Sequence, residues 1–499
     1  MLRCFSKAAR RRKNYAFALL FPVRLVLTKF IASAIELKIR KVQKINMAKI
    51  GFVGFGEVNT PVDVIIRKCS AAEKALKDEG LDLVSVYPVA DDYEETQVNG
   101  AVEALKKESF DALVVCVAGW IPTHAVIKVT EHYRHLPMVL WGLCGWYEGD
   151  RLVTTADQAG TTGLRATFEG LGYKFKYVYD IIGKKTRSDV VADYCRAAIT
   201  AKQLLTEKVG MAGYRDMNLY GTLYDGMSLK KTTGVEIETF EMLEIQQRYE
   251  ALGEEAKREI VNNRILKWNF LKPANDDAMM KAAGYYLAVK AIADERNYKA
   301  ISLKDVDGMK KLCGFPPAPI FMLLSEDGYT TVPENDSLGA VTQLMMNGLT
   351  GQLAGYLEFY EFFDNSVLAG VPDFVAADMV DGDTYTVLPA AFGMLSQGIL
   401  NVSKVKTGKV TMSRLVYADG KYTMQVILGE GKNPPKWEEC GWDQPAPQLS
   451  ALEIEIGDVE TFADNVACQH YIITFGDNRA KIKYLCDILG IKFFEVVKN

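Results

Sequence analysis

The first part of the chain alternates short apolar runs with stretches in which apolar residues recur at helical spacing. Three apolar runs, 50–55, 81–89 and 112–118, have the length and composition of buried strands. Helix-like stretches at 71–79 and 98–108 lie between them. Alternation of this kind predicts a parallel, doubly wound α/β sheet.

A second α/β unit is predicted after a helical stretch at 188–208. It begins with an apolar run at 209 and continues with a long amphipathic stretch at 238–262, a helix at 277–297 and a strand at 300–306. Beyond 364 the pattern changes to short strands separated by turns, at 385–388, 409–416, 421–428 and 452–456. These runs predict a β-rich C-terminal domain.

The domain boundaries follow from these changes of pattern. We predict an N-terminal α/β domain at 47–207, a middle α/β domain at 208–340 and a β-rich domain at 341–499. Residues 1–46 form a separate basic extension.

One stretch, 333–363, is predicted to be a capped helix followed by a returning strand. Asn335, Asp336 or Ser337 can cap a helix whose apolar positions extend to 349. The strand that follows carries alternating residues, and one predicted face holds Tyr356, Glu358, Tyr360 and Phe362.

Simple geometry makes the acids at the two ends of this stretch, Glu334 and Glu358, a candidate pair. In one unbroken helix they would lie about 36 Å apart, at roughly 1.5 Å per residue. With a reversal near Thr350, the helix climbs about 24 Å and the strand returns about 26 Å. The two carboxylates would then meet, and a shared metal ion is the natural way to relieve their repulsion.

Composition and charge narrow the class of protein. Of the 499 residues, 49% are hydrophobic and 24% charged, which is typical of globular proteins. The extension 1–46 holds 12 of the 59 basic residues and one of the 63 acidic ones, so the remainder has a net charge of −15. An acidic body argues against nucleic acid as the main partner.

The extension itself has two interpretations. Its Arg-rich, acid-poor composition resembles an organellar presequence, and it is a poor membrane span because Arg24 and Lys29 interrupt it. Alternatively Met47 is the true start. We predict a cytoplasmic protein, or a mitochondrial-type location if the presequence is real. The nine cysteines contain no CxxC pair, which favours free thiols in a reducing compartment.

Other candidate motifs are weaker. Gly54 and Gly56 form only half of a dinucleotide fingerprint, and a tight strand-to-helix turn is the better interpretation. The histidines at 124, 132 and 135 are expected on the surface. His470 precedes an apolar strand and can be either structural or a metal ligand; with Glu334 and Glu358 it would complete a site suited to Mn²⁺ or Mg²⁺.

Several of these residues carry a resemblance to a known family. The string Glu-Asn-Asp-Ser-Leu at 334–338, the acid at 358 and the late Gln469-His470 resemble the L-fucose isomerase and L-arabinose isomerase superfamily. The strings at 56–61, 118–120 and 154–159 resemble its less characterised sugar-isomerase-like branch. The resemblance covers residues 47–499.

The resemblance implies a fold and an activity. It implies two Rossmann-like domains and a barrel-like C-terminal domain, in a homo-oligomer (a trimer or hexamer) whose neighbouring subunits complete each active site. It also implies aldose–ketose isomerisation with Mn²⁺, or Mg²⁺ or Co²⁺, held by Glu334, Glu358 and His470. The two carboxylates would move a proton between C1 and C2 of the sugar through a cis-enediol.

Some residues depart from the family pattern. Glu358 is the arabinose-type choice, but no histidine lies between 359 and 469, so the metal ligands look fucose-type. Asp307 and Lys310 stand where fucose isomerases place a substrate-binding glutamine, and a lysine there could favour an anionic sugar. Trp120 and Gln469 are further candidate substrate contacts.

Three functions remain open on the sequence. The first is a Mn²⁺-dependent isomerase of a fucose- or arabinose-like sugar. The second is a sugar-binding or regulatory protein with the same fold. The third is another metal-dependent sugar reaction, such as epimerisation or aldol cleavage.

Overall fold

The computed structural model describes residues 48–371, 374–389, 398–434 and 450–497. The predicted basic extension 1–46 and the alternative start at Met47 lie outside the described residues.

The first third of the chain forms a parallel sheet covered by helices. Its elements in chain order are β1 (Lys49–Phe55), α1 (Val62–Asp78), β2 (Asp82–Val89), α2 (Thr96–Lys106), β3 (Ala112–Val117), α3 (Thr123–Thr130), β4 (Met138–Gly142), the hairpin β5 (Trp146–Glu148) and β6 (Arg151–Val153), α4 (Asp157–Gly170), β7 (Phe175–Tyr179) and α5 (Ser188–Leu204). The strand order is β2-β1-β3-β4-β7, all parallel. The strand order reverses between β1 and β3, as in doubly wound folds.

A second parallel sheet follows. Its elements are β8 (Lys208–Ala212), α6 (Gly226–Thr233), β9 (Glu236–Phe240), α7 (Met242–Ala251), α8 (Glu254–Asn263), β10 (Asn269–Phe270), α9 (Asp276–Arg296), β11 (Ala300–Leu303), α10 (Ala318–Glu326), β12 (Thr330–Val332) and α11 (Ser337–Thr350). The order of the parallel strands is β12-β11-β8-β9, while β10 pairs elsewhere. The carboxyl ends of β12, β11 and β8 therefore lie side by side at one edge.

The remaining elements include a closed barrel. They are β13 (Gly355–Phe362), β14 (Ser366–Val371), β15 (Thr386–Leu388), β16 (Leu400–Asn401), β17 (Gly408–Ala418), β18 (Lys421–Lys432), β19 (Ser450–Glu455), α12 (Val459–Asn465), β20 (His470–Phe475), α13 (Arg479–Leu489) and β21 (Lys492–Glu495). The antiparallel order β17-β20-β13-β14-β19-β18 closes on itself, because β17 also pairs with β18. Strand β21 adds to β18, and β15 joins β10 to β16.

This architecture confirms the predicted fold class of two α/β sheets followed by a β-rich, barrel-like unit. The exact domain boundaries stay a prediction. Two large apolar clusters run across the sheets, and one of them joins α5, α11 and α13.

Helix α11 is the element that connects the middle sheet to the barrel. Residues Ser337–Met346 are all buried, and α11 contacts β12 on one side and β17 and β20 on the other. Asp336 caps it by accepting a hydrogen bond from the Gly339 amide at 2.9 Å, as one of the three predicted caps. Strand β13 follows this helix and brings Glu358 back towards the helix start, where Glu334 lies.

The amphipathic stretch 238–262 contains the end of β9 and two helices, which Leu252 and Gly253 separate. Two local predictions were wrong. The first helix begins at Val62, directly after Pro61, not at 71. The strand predicted at 300–306 ends at Leu303, and a π-helix occupies Asp305–Lys310.

The alternation predicted for 356–362 also fails at its end. The pairing of β13 with β14 shifts between Phe359 and Glu361, which marks a β-bulge. Phe362 therefore joins Phe359 against the same ring, Phe462, with centroid distances of 5.6 and 4.9 Å.

The glycines at 54 and 56 are explained by packing. A Cβ at Gly54 would lie 2.4 Å from the Cys69 sulfur, and one at Gly56 would lie 2.3 Å from Ile65. Both contacts are with α1, so the glycines let this helix approach β1 closely, as a tight strand-to-helix turn requires.

Two further findings concern the chain as a whole. The seven cysteines within the described residues are free thiols, as predicted. Among the same residues, no helix combines the length and the hydropathy that crossing a membrane requires.

Candidate active site

Glu334, Glu358 and His470 converge where the middle sheet meets the barrel. The His470 Nε2 atom lies 3.5 Å from a Glu334 carboxylate oxygen and 3.9 Å from a Glu358 carboxylate oxygen. Residues 24 positions apart in sequence thus lie beside one imidazole. That the three side chains form a metal site stays a prediction.

The barrel fixes two of the three side chains. Glu358 in β13 and His470 in β20 are direct partners across an antiparallel ladder. Such partners have Cβ atoms about 5 Å apart on the same face of the sheet. Gln469 adds a second constraint, because its amide donates to Glu358 Oε1 at 3.0 Å.

Glu334 comes from the middle sheet and has an unusual backbone. It follows β12 with φ of +61°, and Asn335 follows with φ of +51°. Two consecutive non-glycine residues in the left-handed region cost on the order of 1–3 kcal/mol each. The conformation therefore needs support from neighbouring strands.

Buried polar groups at the ends of β11 and β8 provide that support. Asp305 accepts a hydrogen bond from the Glu334 amide at 2.9 Å. The Asn335 side chain donates to the carbonyls of Ala212 and Tyr214 at 3.0 and 2.5 Å. The carboxyl ends of three adjacent strands thus hold Glu334 in place.

The environment of His470 keeps its imidazole uncharged at pH 7. The residue is buried, and burial lowers the pKa of His470 to about 3. The Tyr356 ring stacks on the imidazole with centroids 4.5 Å apart. A neutral, oriented imidazole at pH 7 has a nitrogen lone pair available for a metal ion.

A fully buried ion pair, Asp336 with Arg414, lies next to Tyr356. Arg414 donates to both oxygens of Asp336, at 2.5 and 2.9 Å, and neither side chain is exposed. The Tyr356 hydroxyl also donates to Asp336 at 2.9 Å. Burial raises the pKa of Asp336, but the Arg414 guanidinium outweighs it and holds that pKa below the ordinary value.

Two sets of residues could hold a metal ion. Asp336, Cys468 and His470 have donor atoms within 4.8 Å of one another. However, both Asp336 oxygens already accept from Arg414, and burial raises the pKa of the Cys468 thiol, so it stays protonated. This set does not suit a divalent cation.

The set of Glu334, Glu358 and His470 has the more suitable donor chemistry. Donor atoms about 2.1 Å from an octahedral ion lie roughly 3 Å apart, close to the distances from His470 to the two carboxylates. Two carboxylates and one neutral imidazole form a donor set that suits Mn²⁺ or Mg²⁺.

Two other predicted substrate residues, Asp307 and Lys310, lie in the π-helix after β11 and are held by neighbouring residues. Asp307 accepts from the Met217 amide at 2.9 Å and from Lys311 at 2.7 Å, and Lys311 lowers the pKa of its carboxyl. Lys310 is buried with its Nζ 3.5 Å from Asp305, the residue that holds the Glu334 amide. Lys310 therefore contacts the residue that supports Glu334, whereas Asp307 joins the π-helix to the loop after β8.

Trp120 lies apart from these residues in sequence and fold. It follows the carboxyl end of β3, the central strand of the first sheet. Its backbone forms hydrogen bonds with Thr155 and Glu57, and the residue is 40% exposed. An exposed ring there is accessible to a neighbouring molecule. The three histidines at 124, 132 and 135 are exposed, as predicted.

The sequence did not single out Asp305, Tyr356 or Arg414 as functional. Arg414 gave one usable signal, because it interrupts an otherwise apolar and hydroxyl-bearing strand, and a charge there requires a buried partner. Asp336 was predicted only as a helix cap, although it also binds Tyr356 and Arg414.

Comparisons with known proteins point to sugar enzymes at low identity. The sulfoquinovose isomerases of Priestia aryabhattai and Priestia megaterium are each 20% identical over 342 residues, covering 67% of this chain and 74% of theirs. No family model matches the chain.

One solved structure is also similar in part of its sequence. It is a periplasmic solute-binding protein of an ABC transporter from Actinobacillus succinogenes with bound D-allose, 15% identical, covering 66% of this chain and 96% of that one. Its TM-score of 0.16 is too low to indicate a shared fold. The chain is therefore similar to sugar isomerases in kind, and its place in the fucose and arabinose isomerase superfamily stays a prediction.

Proposed function

We propose that this protein is a metal-dependent aldose–ketose isomerase. The observation that carries the proposal is the convergence of Glu334, Glu358 and the neutral His470 at one point between the middle sheet and the barrel. The likeness to the Priestia sulfoquinovose isomerases supports the same kind of enzyme.

The two carboxylates would carry the proton transfer. Isomerisation removes a proton from C2 of the open-chain aldose and returns one to C1 through a cis-enediol, so it needs a carboxylate base beside both carbons. Two carboxylates beside one site repel each other, which favours one being ionised while the other carries a proton.

His470 has a different role in this proposal. Its low pKa keeps it from donating protons near neutral pH, so it serves as a ligand and not as an acid. Glu334, Glu358 and His470 would hold Mn²⁺, Mg²⁺ or Co²⁺. The bound ion would stabilise the negative charge that develops on the sugar oxygens.

The decisive experiment follows label exchange by NMR. The purified full-length protein with Mn²⁺ is incubated in D₂O with a panel of aldoses: L-fucose, L-arabinose, D-glucose and sulfoquinovose. An isomerase produces the ketose and exchanges the hydrogen at C2. Exchange at C2 with a new aldose but no ketose would indicate an epimerase, and shorter fragments an aldolase.

Substitutions separate catalysis from binding. Glu334→Gln and Glu358→Gln should each lower kcat by about 10²- to 10⁴-fold, the usual contribution of a general base. Glu361→Gln is the matched control, because Glu361 lies in the same strand and is exposed. Sugar binding without any conversion by the wild type would instead favour a binding or regulatory protein.

We further propose that the active protein is a homo-oligomer in the cytoplasm. The exposed Trp120 is our candidate for a substrate contact supplied to a neighbouring subunit. Light scattering gives the oligomer size, and Trp120→Ala should raise KM without dissociating the oligomer. An unchanged KM would contradict this role.

A further inference from the structure

The loop after β8 carries an arginine next to the proposed active site. Asn335, the residue after Glu334, donates to the Tyr214 carbonyl at 2.5 Å, and Arg215 is the next residue in that loop. The carboxyl ends of β12 and β8 are two strand spacings apart, about 10 Å. A six-carbon sugar chain spans roughly 6 Å, from five C–C bonds of about 1.5 Å each. The remaining difference of about 4 Å is shorter than an extended arginine side chain, so the guanidinium of Arg215 can reach the far end of a sugar whose C1 and C2 lie at Glu334.

The guanidinium of Arg215 has no acidic partner in the part of the chain that the structure describes. The guanidinium contacts the face of Tyr220, with the ring centroid at 5.0 Å, and donates to the Asn218 side-chain oxygen at 3.4 Å. Its Nε atom is buried, and within the described residues it donates no hydrogen bond. Because Arg215 is half-buried and has no acidic partner among the described residues, its guanidinium is available to an anionic ligand.

The loop is held rigidly in this position. The buried Asp216 carboxylate accepts from the amides of Val306 and Asp307 at 2.8 and 2.9 Å. Met217 and Asn218 both adopt left-handed backbones, with φ of +46° and +54°. Such conformations persist only when the surroundings enforce them, and they concentrate at ligand sites.

We propose that Arg215, with Asn218 and Tyr220, binds an oxyanion at the end of the sugar remote from the proposed metal site. The planar guanidinium matches two oxygens of a sulfonate or phosphate, and Tyr220 fixes its plane. This inference rests on the proposed isomerase function, and it gives the substrate class as an aldose with a terminal anionic group.

The chemistry of Arg215 separates it from Lys310. Lys310 lies beside the buried Asp305 carboxylate, which offsets its charge. Arg215 lacks such a neighbour among the described residues and stands at the mouth of the crevice between β8 and β11. The parallel order reverses at this crevice, which is where open α/β sheets bind ligands.

The test compares three sugars that differ only at C6: sulfoquinovose, D-glucose 6-phosphate and D-glucose. With wild type, we expect kcat/KM for at least one anionic sugar to exceed that for glucose. Arg215→Gln should lower that value about 10- to 100-fold, as expected for a charged bidentate contact, and leave glucose within about twofold. Arg215→Lys should fall between them. Sulfoquinovose against glucose 6-phosphate tells which oxyanion the site prefers.

Two controls make the result decisive. Arg165→Gln removes an equally charged but exposed residue of α4 and should change none of the three values. Equal losses for neutral and anionic sugars in Arg215→Gln, or no preference for an anionic sugar in wild type, would overturn the subsite. If Arg215→Gln does not fold, Arg215→Lys decides the same comparison.

The subsite and the isomerase proposal can fail separately. Calorimetric titration of each sugar into the Mn²⁺-loaded protein measures binding directly, whether or not the sugar is converted. Tighter binding of sulfoquinovose than glucose, lost in Arg215→Gln, supports the subsite even if no ketose forms. Ketose formation from glucose, with no effect of Arg215→Gln on any sugar, supports the isomerase and refutes the subsite.

Discussion

The buried pair of Asp336 and Arg414 offers a sharp test of how the active site is supported. Replacing Arg414 with Met keeps a long side chain but leaves the Asp336 carboxylate buried without its cation. Removing one partner of a buried ion pair costs about 3–5 kcal/mol. Asp336 can escape part of this cost by taking up a proton.

The cost of that proton can be worked out from pKa values. An aspartate with an ordinary pKa of about 3.9 must be held protonated at pH 7, about 3 units higher, at 1.36 kcal/mol per unit. Relief by protonation at pH 7 therefore costs about 4 kcal/mol, which lies within the range expected when a buried charge loses its partner.

The same reasoning fixes a pH dependence and its sign. In wild type the pKa of Asp336 is below its ordinary value, so the pair stabilises the fold above about pH 4 and is lost as pH falls further. In Arg414→Met, burial alone remains and raises that pKa. The folded variant then binds a proton that the unfolded chain does not, so its deficit shrinks by about 1.4 kcal/mol per unit as pH falls from 7 towards 4.

The assay is urea unfolding of the full chain at pH 7 and pH 5, followed by tryptophan fluorescence and circular dichroism. Two probes are needed, because a chain of several domains can unfold in steps. The double variant Asp336→Asn with Arg414→Met should recover most of the loss, since it leaves no buried charge.

A surface pair with the same geometry provides the control. Arg258 donates to both oxygens of Asp276 at 2.5 and 2.7 Å, but both side chains are exposed, so Arg258→Met should change stability little. The reasoning is refuted if Arg414→Met costs less than about 1 kcal/mol, or if its deficit is the same at both pH values.

Three other predictions concern the metal, the glutamine and the packing of the middle sheet. Mn²⁺ at a hundred times its Kd should stabilise the protein by about 2.7 kcal/mol in thermal unfolding; His470→Gln should abolish this gain and the surface variant His135→Gln should not. Gln469→Ala frees one Glu358 oxygen and should lower kcat about tenfold or less with little change in Tm, while a large loss of Tm would contradict a positioning role. Gly210→Ala should lower the free energy of unfolding in urea by about 1–3 kcal/mol, because the new Cβ would lie 2.2 Å from the Tyr298 ring. The control Gly163→Ala, on an exposed helix face, should raise the free energy of unfolding by roughly 0.5–1 kcal/mol.

Local periodicity was sufficient to predict the central geometry of the site. The apolar spacing of α11, the cap at Asp336 and the alternation that begins β13 are properties of neighbouring residues, so a single sequence reveals them. These elements place Glu334 and Glu358 beside His470, the first residue of a late apolar strand. The fold class followed in the same way from alternating strands and helices.

Residues whose roles depend on distant partners could not be predicted. Asp305 supports Glu334 only because β11 and β12 are neighbours in the sheet. The bulge near Phe359 depends on the pairing with β14, and the charge of Arg414 is tolerated only because Asp336 lies opposite. Each of these contacts joins residues that are far apart in sequence or set by strand pairing, which local spacing does not encode.

The distribution of roles over the strands suggests how substrate choice is separated from chemistry in this fold. Glu334 depends on the ends of β11, β12 and β8 for its strained backbone, and Glu358 and His470 depend on the barrel ladder. These contacts are buried, so substitutions there would disturb the acid pair itself. Beyond Asp216, the loop after β8 projects side chains such as Tyr220 into solvent, while its first residues still clamp Asn335. Changes at Arg215 and the outer loop can therefore alter the group recognised on the sugar without moving Glu334. For this reason the proposed isomerase chemistry and the proposed anion preference can be tested independently, and either can fail alone.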